Sequence, residues 1–113
     1  MANVLGPGQS IAQNQVLLST NMQYLATLQS DGNFVVYKVQ GMQALWATGT
    51  NGQIISNAIM QTDGNFVLYN GAGAPIWASN TSGSAYSYLI MQDDGNLVVY
   101  TEGSPTWASG TNQ

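Results

Sequence analysis

A ten-residue stretch occurs three times in this chain, and no other feature limits the fold as strongly. Leu28-Gln29-Ser30-Asp31-Gly32-Asn33-Phe34-Val35-Val36-Tyr37 returns as Met60-Gln61-Thr62-Asp63-Gly64-Asn65-Phe66-Val67-Leu68-Tyr69, and again as Met91-Gln92-Asp93-Asp94-Gly95-Asn96-Leu97-Val98-Val99-Tyr100. Successive glutamines are 32 and 31 residues apart. Each unit closes on a tryptophan signature: Trp46-Ala47-Thr48-Gly49-Thr50, Trp77-Ala78-Ser79-Asn80-Thr81 and Trp107-Ala108-Ser109-Gly110-Thr111. A unit of roughly thirty residues repeated without linkers cannot bury an apolar face alone, so its copies must pack on one another. Residues 1–113 are therefore expected to form one domain of three repeats, with motifs at 29–37, 61–69 and 92–100. The length suits a single core.

Turn chemistry sets the secondary structure within a unit. Three residues separate each glutamine from its asparagine: Ser30-Asp31-Gly32, Thr62-Asp63-Gly64 and Asp93-Asp94-Gly95. Such a loop is commonly a type I turn followed by a left-handed residue, which glycine accepts without strain. The flanks, such as Ala58-Ile59-Met60-Gln61 and Asn65-Phe66-Val67-Leu68-Tyr69, are rich in β-branched and aromatic residues and read as strands. A second turn at 70–75 leads to a third short strand, Ile76-Trp77-Ala78. Further strands are expected near Gln9-Ser10-Ile11 and Val16-Leu17-Leu18-Ser19, completing the sheets. No long amphipathic helical period is present, and the pattern predicts an all-β domain of about twelve short strands.

Alternation along the strand after the turn separates two faces. Phe34/Val36, Phe66/Leu68 and Leu97/Val99 form a wholly apolar face and are the expected core. Asn33/Val35/Tyr37, Asn65/Val67/Tyr69 and Asn96/Val98/Tyr100 form the other, which is expected to point outward. Gln29, Gln61 and Gln92 lie across the hairpin, and Asp31, Asp63 and Asp94 at the turn. This set suits a hexose. Aspartate accepts, asparagine and glutamine do both, and so do a phenol and a sugar hydroxyl. The valine meets the ring's C–H face. Four neutral hydrogen bonds, each worth roughly 0.5–1.5 kcal/mol net, make a weak site with a dissociation constant of about a millimolar. Three copies compensate, because multivalency raises avidity by ~10²-fold or more. Asp-Gly is also an ordinary hairpin signal, and Asn or Gln beside it can simply satisfy turn backbone. The recurrence of all five residues on a face that folding does not need favours binding. The three tryptophans are expected in the core.

Composition narrows the partners. Charged residues are 5% of the chain, with Lys38 the one basic side chain against five acids, for a net charge of −4. Nucleic-acid binding needs clustered Lys and Arg and is not expected. Nor is an anionic membrane surface or membrane insertion, since no run approaches the ~18 apolar residues of a spanning helix. With no histidine and no cysteine, the commonest general base and any thiolate nucleophile or metal ligand are missing. The isolated aspartates do not build an oxygen-rich Ca²⁺ cluster, so neither metal nor cofactor is expected. A glycosidase needs two carboxylates in mutual reach; only Asp93 and Asp94 are sequence neighbours, in one repeat, so no catalysis is expected. The N-terminus lacks the basic start and apolar core of a signal peptide. Together with the absence of cysteine, this leads us to expect a cytoplasmic protein, or one released by a route that forms no disulfides.

The three motifs resemble the site signature of the monocot mannose-binding lectins, or bulb-type lectins: Gln-x-Asp-x-Asn-x-Val-x-Tyr. It is intact at Gln29/Asp31/Asn33/Val35/Tyr37, Gln61/Asp63/Asn65/Val67/Tyr69 and Gln92/Asp94/Asn96/Val98/Tyr100. Pro75-Ile76-Trp77-Ala78-Ser79-Asn80-Thr81 and Trp107-Ala108-Ser109-Gly110-Thr111 are similar to that family as well. The resemblance implies a β-prism II fold, three four-stranded antiparallel sheets with pseudo-threefold symmetry and tryptophans at the centre. It implies binding of mannose and mannose-rich glycans, with aspartate and asparagine on the axial O2, glutamine on O3, tyrosine on O4 and valine against the ring carbons. It also implies a homodimer that exchanges C-terminal strands, here from Pro105 to about Thr111. One departure is clear. Plant members usually carry a disulfide whose positions correspond to Gly32 and about Ser56. Its loss removes a few kcal/mol of possible stabilisation and suits a bacterial, fungal or animal member as well as a plant one. A structural or protein-recognition module of the same fold, such as one that serves defence or antimicrobial activity, is the rival reading. Members of that kind lose Asp, Asn or Tyr from the motif, and this chain has lost none.

Overall fold

A computed structural model describes residues 2–83 and 85–113; Met1 and Ser84 lie outside the described residues. Twelve strands run in chain order: β1 (Val4–Leu5), β2 (Ser10–Ala12), β3 (Val16–Leu18), β4 (Tyr24–Leu28), β5 (Phe34–Lys38), β6 (Gln43–Ala47), β7 (Ile55–Met60), β8 (Phe66–Asn70), β9 (Pro75–Ala78), β10 (Ser87–Met91), β11 (Leu97–Thr101) and β12 (Ser104–Ala108). One 3-10 turn, Gln40–Met42, joins β5 to β6. The strands form three antiparallel sheets of four, in the orders β3-β4-β5-β6, β2-β7-β8-β9 and β1-β10-β11-β12. This is the β-prism II architecture.

Each repeat supplies three strands of its own sheet, and the segment before the first repeat supplies the fourth strand of all three. Its strands β1, β2 and β3 go to the third, second and first sheet respectively. The N-terminal segment therefore laces the prism together. Sequence pattern located β2 and β3 but not β1, because two residues are too short to display alternation.

Alternation placed the core faces correctly. Phe34, Val36, Phe66, Leu68, Leu97 and Val99 are fully buried, together with Leu28, Met60 and Met91 from the preceding strands. Burying a side chain of this size contributes about 1.5–3 kcal/mol. The tryptophans stand on the same core side, opposite Val36, Leu68 and Val99. They form a closed triangle of edge-to-face contacts, Trp46–Trp77 at 5.7 Å, Trp46–Trp107 at 5.2 Å and Trp77–Trp107 at 5.5 Å between ring centroids. Each such pair adds about 0.5–1.5 kcal/mol beyond area burial. In every sheet the register slips beside the motif tyrosine, between Val36 and Tyr37, Leu68 and Tyr69, and Val99 and Tyr100; the second sheet slips again between Ile55 and Asn57. A bulge bends the strand and re-aims the side chain beside it, and in every copy that side chain is the motif tyrosine. β12 pairs with β11 of its own chain, Val98 opposite Ala108 and Val99 opposite Trp107, so the third sheet is complete within one chain.

Candidate functional site

Each motif begins at a tight hairpin. Gln29 N donates to Asn33 O at 2.9 Å and Gly32 N to Gln29 O at 3.1 Å, and the same pair recurs at Gln61–Asn65 and Gln92–Asn96. The closing glycines have φ of +91° (Gly32), +95° (Gly64) and +91° (Gly95), the left-handed geometry that the Asp-Gly pairs predict. Within the turn one carboxylate oxygen is used structurally. Oδ1 of Asp31, Asp63 and Asp94 accepts the amide of Asn33, Asn65 and Asn96 at 2.9, 3.0 and 2.9 Å. Oδ2 of these three exposed aspartates makes no such bond.

The asparagine is fixed from the other side by the tryptophan signature. Asn33 Oδ1 accepts Gly49 N at 3.0 Å and Thr50 N at 3.2 Å; Asn96 Oδ1 accepts Gly110 N at 3.0 Å and Thr111 N at 3.3 Å. Asn65 Oδ1 accepts Thr81 N at 3.3 Å. With the carbonyl oxygen committed, the amide can offer a ligand only its Nδ2 hydrogens. Paired hydroxyls complete the support. Thr50 Oγ1 donates to Gly32 O at 2.6 Å, Thr81 Oγ1 to Gly64 O at 2.6 Å and Thr111 Oγ1 to Gly95 O at 2.6 Å. A hydroxyl has one proton, so Thr48, Ser79 and Ser109 must be the donors in their 2.7, 2.8 and 2.7 Å contacts to those threonines. The same three oxygens accept the amides of Phe34, Phe66 and Leu97 at 3.1, 3.0 and 3.0 Å. The following residues grip the turn as well: Gly52 N, Gly83 N and Gln113 N donate to the carbonyls of Asp31, Asp63 and Asp94 at 2.8, 2.7 and 2.6 Å. Sequence reading identified the signature by its tryptophans and missed these hydroxyls. Their signal was present, in the alternate Ser/Thr-x-Thr pair that recurs in all three copies.

Glutamine and tyrosine meet above the valine. Gln29 Nε2 donates to Tyr37 OH, and Gln92 Nε2 to Tyr100 OH at 2.6 Å. Gln61 satisfies both its neighbours with its oxygen towards Tyr69 OH and its nitrogen 3.1 and 3.2 Å from Asp63 Oδ1 and Oδ2. Val35, Val67 and Val98 lie on the outward strand face as alternation predicts, yet they are only 3%, 2% and 2% exposed. Register explains the cover: each valine stands between two neighbours, Thr27 and Ala47, Ile59 and Ala78, Ile90 and Ala108. Any apolar contact with a ligand is confined to the valine's small open cap.

The structure thus brings the five residues of each motif together on one sheet and keeps the three sets on three separate sheets. A Cβ on Gly32 would fall on Gln53 O, so this turn position admits no side chain, and Ser56 Oγ donates towards Tyr69 O and Asn70 O at 3.3 and 3.2 Å. Among the acids, Asp93 is set apart. Thr20 Oγ1 donates to its Oδ1 and Oδ2 at 2.8 and 2.6 Å, and Asn21 N to Oδ1 at 2.9 Å. These bonds, from Thr20 first and then Asn21, hold its carboxyl below the ordinary value of 3.8. Among the described residues no group of three or more His, Cys, Asp and Glu is placed to hold a metal.

No family model matches the chain. A B-type lectin of the fish Scorpaena plumieri, plumieribetin, is 35% identical over 71 residues, 63% of this chain. The match spans about 60% of that relative's length. A solved monomeric monocot mannose-binding lectin from Gastrodia elata is 41% identical, with a TM-score of 0.86 over 99% of this chain and 100% of its own. The mannose-specific agglutinin of snowdrop bulbs (Galanthus nivalis), solved with methyl α-D-mannoside, is 37% identical, with a TM-score of 0.77 over 98% of both chains. Fold, repeated motif and identity along the whole length agree: this chain belongs to the monocot mannose-binding, or bulb-type, lectin family.

Proposed function

We propose that the chain is a lectin for α-mannose and mannose-containing glycans, with three weak sites at Gln29/Asp31/Asn33/Val35/Tyr37, Gln61/Asp63/Asn65/Val67/Tyr69 and Gln92/Asp94/Asn96/Val98/Tyr100. One observation carries this. In all three sheets the fold uses Asp Oδ1 and Asn Oδ1 for its own backbone, so the groups that remain for a ligand are Asn Nδ2 as a donor and Asp Oδ2 as an acceptor, the latter shared with Gln61 in the second sheet. A sugar hydroxyl donates and accepts at once, and fits that pair. The turn is held rigid before a ligand arrives, which reduces the ordering cost of binding. Mannose is the hexose proposed because the motif is shared with a family whose snowdrop member was solved with methyl α-D-mannoside. Binding is proposed without catalysis, since the motif aspartates are placed one to a sheet.

Calorimetric titration with methyl α-mannoside and with the glucoside, its C2 epimer, is the test. Binding near a millimolar at three sites per chain, with little glucoside binding, is expected. No heat with either sugar on folded protein would overturn the reading. Asp31→Ala, Asp63→Ala and Asp94→Ala combined should abolish binding in a chain that still folds but melts lower, because each loses the Oδ1 bond to an asparagine amide. On the resemblance of the C-terminal segment to bulb-type lectins, and although the Gastrodia elata relative is monomeric, a homodimer by C-terminal strand exchange is proposed with it. It would form the β11–β12 register between two chains instead of within one. A dimer mass in sedimentation supports exchange, and a monomer mass excludes it.

A further inference from the structure

The three sites differ in the row that crosses the sheet at the motif tyrosine. Tyr37 stands between Leu25 and Ala44, Tyr69 between Asn57 and Pro75, and Tyr100 between Tyr88 and Pro105. The third site alone has an aromatic neighbour there. The rings of Tyr88 and Tyr100 stack with centroids 5.6 Å apart and planes inclined by 24°. Tyr88 is half-buried in β10, on the face opposite the buried Ser87, Leu89 and Met91, which is the motif's own face. Among the described residues Tyr88 OH has no hydrogen-bond partner, whereas Tyr100 OH is held by Gln92. No buried polar side-chain atom in them lacks a partner, so the Tyr88 hydroxyl is open to solvent. The surroundings are lopsided too. Towards the turn, the depression at this site is walled by Asn3, Thr20 and Asp93, and the Thr20–Asp93 bonds close that direction. At the other end it runs onto Tyr100, and Tyr88 lies next to it.

We propose that Tyr88 forms a second sugar subsite beside the third site, which makes that site selective for mannose-containing disaccharides and longer glycans over the monosaccharide. The proposal rests on the mannose reading of Gln92/Asp94/Asn96/Val98/Tyr100. A pyranose presents an apolar C–H face and a rim of hydroxyls. An aromatic ring covers the first, and a phenol with a free donor and acceptor binds the second. Leu25 at the first site offers apolar contact without the hydroxyl, and Asn57 at the second offers polar groups without the ring. Neither combines both.

The test isolates one site at a time. With Asp31→Ala and Asp63→Ala in the same chain, the third site titrates alone. There, α-linked mannobiose is expected to bind about tenfold more tightly than methyl α-mannoside, equivalent to about 1.4 kcal/mol. Tyr88→Leu, which places at the third site the residue the first already carries, should bring the two ligands to within about twofold. Folding of that variant is checked in the chain with Asp31 and Asp63 intact, where the first and second sites must still take methyl α-mannoside. The reverse transfer, Asn57→Tyr with Asp31→Ala and Asp94→Ala, should give the second site the mannobiose preference. Equal affinity for both ligands at a third site that does bind methyl α-mannoside overturns the subsite and leaves the mannose reading standing. So does a preference that survives Tyr88→Leu. Failure of methyl α-mannoside at every site of the unmodified chain overturns the mannose reading, and the subsite with it.

Discussion

Each sheet of the prism has two ends, and the three copies agree at one and diverge at the other. At the turn end, the aspartate–asparagine bond, the left-handed glycine and the Ser/Thr-x-Thr pair recur in all three copies. Only the asparagine of the second copy, whose signature carries Asn80 in place of glycine, accepts one signature amide instead of two. At the far end, the connection after the motif tyrosine is a 3-10 turn at Gln40–Met42 in the first sheet. In the second it is a turn in which Asn70 Oδ1 holds the amides of Ala72 and Ala74 at 3.0 and 2.9 Å. In the third it is the short link Glu102-Gly103. The row through the tyrosine varies with it, from Leu25 to Asn57 to Tyr88. Residues recur where one geometry serves both the fold and the candidate site. They diverge where the sheet tolerates any side chain and each copy is free to acquire its own contacts.

Two glycines with the same backbone angle sharpen this contrast most. Gly32 and Gly52 both have φ of +91°, but a Cβ at Gly32 would fall on Gln53 O and come within 3.0 Å of Thr50 O, whereas nothing lies within 4 Å at Gly52. Gly52→Ala should therefore cost only the left-handed strain, about 1–2 kcal/mol. Gly32→Ala adds an overpacking cost of about 1–3 kcal/mol, because the obstacle is backbone and cannot rotate away. In urea unfolding, Gly32→Ala is expected to be the less stable variant by that difference. Equal midpoints would mean that the turn end yields easily, and the account of a rigid, shared turn would fail.

The hydroxyl pair tests the same end with a smaller effect. Thr50→Val keeps the shape but leaves Gly32 O without its 2.6 Å donor and Thr48 without its 2.7 Å acceptor. A buried acceptor left unsatisfied costs about 1–3 kcal/mol. Because Thr50 N also fixes Asn33 Oδ1, loosening this segment should weaken the first site while the second and third keep theirs. Methyl α-mannoside titration of Thr50→Val would then fall from three sites towards two. A uniform weakening of all three sites would contradict the independence of the sheets.

Much of this was legible in the sequence because the repeat was. Period-two alternation separated Phe34 and Val36 from Asn33 and Tyr37, and the Asp-Gly pairs located the left-handed glycines. The plain hairpin reading of the turn residues holds, since Asp Oδ1 and Asn Oδ1 satisfy backbone; the proposed binding draws on the groups that this leaves, Asp Oδ2 and Asn Nδ2. What sequence could not supply were relations between distant segments. The cover over Val35 depends on where Thr27 and Ala47 fall in the register, and alternation reports a face without reporting what overlies it. The bond from Thr50 to Gly32 spans 18 residues, and the assignment of β1 to the third sheet spans most of the chain. The stacking of Tyr88 on Tyr100 follows from strand pairing, which neither residue announces on its own.

The turn of the third copy differs from the other two at one position, and that position carries the smallest predicted effect. Where the first two copies have Ser30 and Thr62, the third has Asp93, bonded to Thr20 and Asn21 of the β3–β4 connection, so that one sheet's turn is tied to another's. Those bonds lower the Asp93 carboxyl below 3.8, which means that the folded chain binds this proton more weakly than the unfolded chain does. The resulting stabilisation is therefore complete above pH 3.8 and is lost as the pH falls below it, towards the folded value. Wild type should melt slightly higher than Asp93→Asn near neutral pH, and the two curves should converge in that acid range. Thr20→Ala, which removes the largest cause of the shift, should behave in the same way. A difference that stays constant from neutral to acid pH would show that the charge on Asp93 contributes nothing, leaving this tie between sheets a neutral hydrogen bond.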